Sequence, residues 1–212
     1  LIATDPGVLD AIGGAVAIWN DIITLGKRRF SSASIESVYT FTQNSSGCWN
    51  QIGSKLSVSA SSSEFASAVS LNGNILVVGA ERNFGVGLNS RTGAVYIYER
   101  VNSTWNFVQR IIGSNPLHSR GFGANLKIWK EYLLVGYDAR EIYSDNRNIA
   151  HIFKRESNGL WREVKAISPS TLVESPDRTS LDIKDRYIAI GDANQLNTGG
   201  AIWVIARDNY PT

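Results

Sequence analysis

The chain has 212 residues, 43% hydrophobic and 19% charged, with a net charge of +2 from 21 basic and 19 acidic side chains. This is a globular composition, and it lacks the basic excess that nucleic acid or an anionic membrane surface calls for. The single cysteine, Cys48, excludes a disulfide within the chain and a cysteine-based zinc site, and no apolar stretch reaches the ~18 residues of a membrane-spanning helix.

In chain order, the segment Leu1-Ile2-Ala3-Thr4-Asp5-Pro6 has neither the basic region nor the apolar run of a signal peptide. The chain contains no Met, so Leu1 reads as the product of processing or as a point inside a longer protein. A first predicted hairpin follows over Ile12 to Gly26. A strand then reads Val38-Tyr39-Thr40-Phe41, a turn Asn44-Ser45-Ser46-Gly47, and a last strand opens at Trp49 and closes at Leu56. The same series returns three times. The second copy runs through a hairpin from Phe65 to Ala80, Val95-Tyr96-Ile97-Tyr98, the turn Asn102-Ser103-Thr104, and a strand from Trp105 to Ile112. The third runs through Phe122 to Gly136, Ala150-His151-Ile152-Phe153, Ser157-Asn158-Gly159, and Trp161 to Ile167. The fourth runs through Asp177 to Gly191 and Ile202-Trp203-Val204-Ile205, and Thr212 falls where the next Trp would stand.

Fixed landmarks keep these copies in phase. Gly26, Gly79, Gly136 and Gly191 are 53, 57 and 55 residues apart, and Trp49, Trp105 and Trp161 are 56 and 56 apart. Ile18, Leu71, Ile128 and Ile183 stand eight residues before the glycines; Val16, Val69, Leu126 and Leu181 stand ten before. That is the period-two alternation of a strand, and no helical period competes with it. Ile75 to Val78 is continuously apolar, as a strand buried on both faces must be, while Ala15, Ala17, Ala68 and Ser70 suit an innermost strand crowded at an axis. A four-stranded unit cannot bury both its faces alone. Stacking copies around an axis does so, and repetition at about 55 residues therefore predicts an all-β propeller of four-stranded antiparallel blades. The blades fall at about 7–57, 58–113, 114–168 and 169–212 of one domain, with 1–6 as a closing or preceding strand. A four-bladed ring latched by Leu1 to Asp5 and an arc of a larger ring are both open, and the incomplete last copy favours the arc.

The repeat resembles the FG-GAP repeat family, known from integrin α heads and extracellular microbial proteins. Phe122-Gly123 matches its Phe-Gly start and Phe65-Ala66 matches in part. Val78-Gly79-Ala80 and Gly93-Ala94-Val95-Tyr96 match its Val-Gly-Ala and Gly-x-Val-Tyr elements, and the Trp-led last strand resembles the microbial branch. The resemblance implies an extracellular binding propeller. It also implies calcium loops between the first two strands, but those linkers here are the tight turns Trp19-Asn20-Asp21, Asn72-Gly73-Asn74, Trp129-Lys130-Glu131 and Lys184-Asp185-Arg186. They are too short for the six to eight oxygen ligands of roughly a dozen-residue calcium loop. No metal and no cofactor is therefore expected.

The sequence presents no nucleophile elbow, zincin helix or phosphate loop. Gly85-Val86-Gly87 and Asp192-Ala193-Asn194 read as turns. Of the two histidines, His151 lies in a strand and His118 in a loop, and neither has a partner visible in the sequence. The chain is accordingly expected to have no catalytic residues and not to be an enzyme, the first strands offering only Lys127 and Asp182 to a central channel. Trp49, Trp105 and Trp161 are expected to pack between blades. Trp19 and Trp129, both at hairpin tips, are candidate binding residues. Asn44 and Asn102 head Asn-x-Ser/Thr sequons at one equivalent turn and are glycosylation candidates. The expected role is an extracellular or secreted propeller for adhesion, protein–protein contact or assembly at a cell or filament surface, with a protein partner or self-assembly. The loops Glu81–Thr92 and Asp138–Arg147 are candidate faces. The alternative is a carbohydrate-binding propeller that stacks a glycan on exposed aromatics.

Overall fold

The computed structural model describes residues 11–28, 35–58, 64–83, 92–113, 121–138, 150–167, 179–192 and 201–206. These form fifteen strands, with no helix among the described residues. Blade 1 comprises β1 (Ala11–Trp19), β2 (Ile22–Arg28), β3 (Ser37–Gln43) and β4 (Trp49–Gln51). Blade 2 comprises β5 (Phe65–Asn72), β6 (Ile75–Ala80), β7 (Ala94–Val101) and β8 (Thr104–Ile111). Blade 3 comprises β9 (Asn125–Trp129), β10 (Tyr132–Gly136), β11 (Ala150–Arg155) and β12 (Trp161–Ile167), and blade 4 comprises β13 (Thr179–Lys184), β14 (Tyr187–Asp192) and β15 (Ala201–Ala206). Each blade is an antiparallel meander in chain order, four-stranded in the first three and, among the described residues, three-stranded in the last. The expected residues 1–6, most of the two long loops, and His118 lie outside the described residues.

The first strands are the inner ones: β1 packs on β5, β5 on β9, and β9 on β13. Two-residue turns join each to its neighbour, with Asn20, Gly73, Lys130 and Asp185 in the left-handed region. The core lies between blades rather than within them. One cluster joins Ile22 and Val38 of blade 1 to Val69, Leu71, Leu76 and Tyr96 of blade 2. A second joins Ile75, Val77, Val95 and Ile97 to Ile128, Leu133 and Val135 of blade 3. A third joins Tyr132, Leu134 and Ile152 to Ile183, Ile188 and Ile190 of blade 4. Each blade thus turns one set of alternating residues backward to its predecessor and the other forward to its successor. Burying these side chains against water is the main term holding the blades together.

The phase glycines mark where one blade comes closest to the next. A Cβ at Gly79 would stand 2.0 Å from the Gly123 carbonyl oxygen, one at Gly26 2.7 Å from the Ala66 oxygen, and one at Gly136 2.4 Å from Thr179 Oγ1. Polar contacts cross the same seams. Ser70 Oγ accepts the Ile128 N–H at 3.1 Å, Trp105 Nε1 donates to Thr40 Oγ1 at 3.0 Å, and the Gln109 amide takes both backbone groups of Trp161 at 2.7 and 3.0 Å. Trp105 and Trp161 are buried, whereas Trp49 is half-buried. The last strand of blade 1 departs from expectation. It stops at Gln51, because Gly53 turns left-handed at φ 63°, and pairing resumes only at Leu56, which exchanges both backbone bonds with Val38 at 2.8 and 2.9 Å.

Candidate functional site

The first-strand hairpins of the blades end together at one mouth of the axis. There the structure brings Trp19 of blade 1 against Trp129 of blade 3, edge to face, with ring centroids 6.2 Å apart and planes at 65°. Asn72 of blade 2 is hydrogen-bonded to the same hairpin, its Oδ1 accepting the Lys130 N–H at 3.1 Å. The Lys130 ammonium is 5.9 Å from the Trp129 ring centre. Both indoles are half-buried. The Asn72 Nδ2 and Trp129 Nε1 donors are buried and have no hydrogen-bond partner among the described residues. The mouth therefore combines half-exposed indole surface and a cation, a set suited to a ligand with an apolar face. Further along the axis, Lys127 and Asp182 pair at 2.9 Å across β9 and β13.

The glycosylation candidates lie at the outer rim. Asn44 is exposed, and its Oδ1 accepts the N–H groups of Ser46 and Cys48 at 3.0 and 2.9 Å, an Asx turn that leaves its amide nitrogen out of those bonds. Asn102 is exposed in the equivalent turn, left-handed at φ 57°.

A polar chain in blade 3 is absent from the sequence-based candidates. His151 is fully buried; its Nδ1 is 2.8 Å from Glu163 Oε1 and its Nε2 is hydrogen-bonded to the Tyr137 hydroxyl. Phe122 meets the imidazole edge-on at 5.5 Å. Tyr–His–Glu is the arrangement of a proton relay, but Tyr137 is buried too, so here it ties β10, β11 and β12 together inside the seam.

A charged seam clasps blades 1 and 2. Arg28 Nη2 reaches Glu64 at 2.9 Å and Glu81 at 3.2 Å, and Arg82 Nε reaches Glu64 at 3.1 Å. Burial pushes the Glu64 carboxyl up, but its hydrogen bond with Glu81 and the Arg82 and Arg28 guanidinium groups outweigh it and hold it below the ordinary range. Buried Glu36 accepts the N–H groups of Glu64 and Phe65 at 3.1 and 2.9 Å. Among the described residues, no group of three or more His, Cys, Asp or Glu side chains is placed to hold a metal ion.

Among the described residues, two blade faces carry exposed apolar side chains. Val16 and Ile18 on the backward face of blade 1 and Tyr187, Ile202 and Val204 on the forward face of blade 4 are exposed.

Four successive antiparallel blades stacked on their inner strands define the chain as four blades of a β-propeller. Residues 56–98, from the end of blade 1 through most of blade 2, match the family model of the FG-GAP repeat, in line with the resemblance read from the sequence. No curated protein matches the chain. Among solved structures it is similar to a periplasmic gluconolactonase of Pseudomonas aeruginosa, PpgL, at 12% identity and a TM-score of 0.45, over 92% of this chain and 68% of that one. It is also similar to Bacteroides ovatus Xyloglucan PUL GH43B, at 14% identity and a TM-score of 0.42, over 90% of this chain and 37% of that one. The chain thus spans little more than a third of the second protein's length. The expectation that the chain is not an enzyme is not retained: one of these structures is a gluconolactonase, and the lack of linear motifs gave no ground for excluding activity. Missing linear motifs exclude little in a fold whose loops from separate blades meet in space.

Proposed function

We propose that this chain is a recognition propeller of an extracellular protein, engaged in adhesion, protein–protein contact or assembly at a cell or filament surface. The observation that carries the reading is the pair of exposed apolar faces, Val16 with Ile18 and Tyr187 with Ile202 and Val204. Apolar clusters of this kind on a folded domain are sites of protein contact. The FG-GAP repeat and the two exposed sequon turns support the extracellular setting. The test is a surface-retention assay with the tagged chain in its source cells. The parent chain is expected on intact cells, accessible to added protease, and Ile202→Glu/Val204→Glu is expected to lower its retention at least fivefold. A chain confined inside the cell, or a variant retained like the parent, overturns the reading.

A second reading rests on the axis mouth. The half-exposed Trp19–Trp129 pair suits a glycan, which offers an apolar ring face to stack on an indole. Glycan-array binding that disappears in Trp129→Ala supports it; an array with no binder removes it.

A further inference from the structure

The exposed faces of blades 1 and 4 are the two halves of an interface that the chain already builds three times. Position by position, Ile18 is the equivalent of Leu71, Ile128 and Ile183. Those three are buried in the seams, each against the forward face of the preceding blade. Ile128, for example, packs among Ile75, Val77, Val95 and Ile97. Ile18 is 62% exposed. On blade 4, Ile202 is the equivalent of Val38, Val95 and Ala150, and Val204 is the equivalent of Ile97 and Ile152, all buried. Ile202 is 76% exposed and Val204 67%.

The phase glycine supplies independent support. Gly26, Gly79 and Gly136 are glycines because the next blade's inner strand leaves no room for a Cβ. Gly191 keeps the residue without that constraint. Among the described residues, a Cβ there would meet only Ser180 Cβ of its own blade, at an ordinary 3.7 Å. Blade 4 thus presents apolar positions and a backbone notch shaped for an incoming inner strand, and β1 presents an inner strand with its seam residues uncovered.

We propose that a second copy of this chain docks head to tail, with β1 of one copy seated on the forward face of blade 4 of the other. Ile18 of one copy then lies among Tyr187, Ala189, Ile202 and Val204 of the other, and the inner strand passes Gly191 as Ala66 of β5 passes Gly26. The proposal rests on the recognition reading above and names its partner. The contact is heterologous: each copy has one donor face and one acceptor face, so association closes a ring or extends in a line.

The test uses the 212-residue chain in analytical ultracentrifugation with light scattering, up to about 100 µM. The parent chain is expected to self-associate. Ile18→Glu alone and Ile202→Glu alone are each expected to be monomeric, because each variant spoils every copy's contact. Their equimolar mixture is expected to form a 1:1 dimer, since the intact acceptor face of the first meets the intact donor face of the second. Gly191→Ala, which its own blade accommodates, is expected to raise the dissociation constant at least tenfold while thermal unfolding of the dilute monomer is unchanged. A parent chain that stays monomeric throughout overturns the proposal. So does a dimer that survives either Glu substitution, or a mixture that stays monomeric. A monomeric parent whose surface retention still falls in Ile202→Glu/Val204→Glu overturns the second copy as partner and leaves the recognition reading standing.

Discussion

The substitution Gly79→Ala isolates the contact on which blade stacking depends. Gly79 lies in β6, paired with Val95, with an ordinary negative φ, so an added methyl strains nothing in its own strand. The obstacle is the neighbouring blade. The new Cβ would stand 2.0 Å from the Gly123 oxygen, 1.4 Å short of the 3.4 Å at which ordinary contact begins, and 3.1 Å from the Gly123 carbonyl carbon. Backbone faces backbone there, and Gly123 is itself fixed by its N–H bond to the Gly136 oxygen at 3.0 Å, so no rotamer change relieves the overlap. The blades must part by about 1 Å, and a gap of that size forfeits a quarter to a half of each dispersion contact across it. Val95, Ile97, Phe122 and Leu133, all fully buried in the seam, lose partners together. Overpacking a core costs about 1–3 kcal/mol when side chains can adjust. With backbone on both sides the expected loss is about 3 kcal/mol or more. Urea unfolding followed by tryptophan fluorescence reads this as a midpoint lowered by roughly 1.5 M, at a slope of about 2 kcal/mol/M. Gly191→Ala is the control, expected within about 0.5 kcal/mol of the parent in dilute solution. A Gly79→Ala protein as stable as the parent, or two variants equally damaged, would refute the account of the glycines.

Three further outcomes follow from the seams. Glu36→Ala leaves the Glu64 and Phe65 N–H groups without their carboxylate and is expected to cost about 2–3 kcal/mol in the same urea assay, with Glu36→Gln recovering part of it. Burial, with Tyr96 beside it, raises the Tyr98 hydroxyl to about 12, so its neutral form is favoured by folding. The stability it contributes is whole below the ordinary value of 10.0 and lost as pH climbs from there toward 12. Alkaline unfolding that begins at higher pH in Tyr98→Phe is the expected result, and an unchanged profile counts against it. Glu64 behaves in the opposite sense. Its carboxyl is held below 4.5, so its contribution is present above that pH and falls away on acidification through the lower folded value. Glu64→Gln is expected to flatten the decline in melting temperature below pH 4.5, and an acid profile parallel to the parent's would remove the clasp as its cause.

The fold was legible because its main constraint is local and recurs. A strand buried on both faces, such as Ile75 to Val78, has to be apolar at every position, and an inner strand has to alternate large and small side chains; both patterns survive in a linear reading. The phase glycines were visible as punctuation, but their cause was not. What they avoid is the next blade, forty or more residues away, a carbonyl oxygen at Gly26 and Gly79 and the Thr179 hydroxyl at Gly136, and only the packed blades reveal it. The last strand of blade 1 read as one strand from Trp49 to Leu56 because its apolar ends fit. The left-handed Gly53 between them breaks the ladder, and a lone glycine in an apolar strand is a weak signal of that break.

The candidate site was legible only in part, and the reason is geometric. Trp19 and Trp129 could each be placed at a hairpin tip, yet nothing in either hairpin tells that the axis carries blade 1 and blade 3 close enough for the rings to touch across Asn72. The His151 chain was closer to hand. His151 and Phe153 are two apart on β11, Glu163 pairs opposite Phe153, and Val135 opposite His151 puts Tyr137 two residues further on, so period two places all of them on one face. Seeing it needs the register of three strands, including the shift between Ile152 and Phe153 that brings Glu163 level with the imidazole. Glu36 shows the same dependence. It holds the phase that Gly93 holds in blade 2, where the backbone itself reaches Phe122 of the next blade. In blade 1 a carboxylate spans that distance to Phe65. Sequence alone makes Glu36 a mismatch to the repeat, whereas the seam makes it a substitute for it. The repeated pattern therefore specifies the stacking surface, and its local departures identify where side chains must complete it.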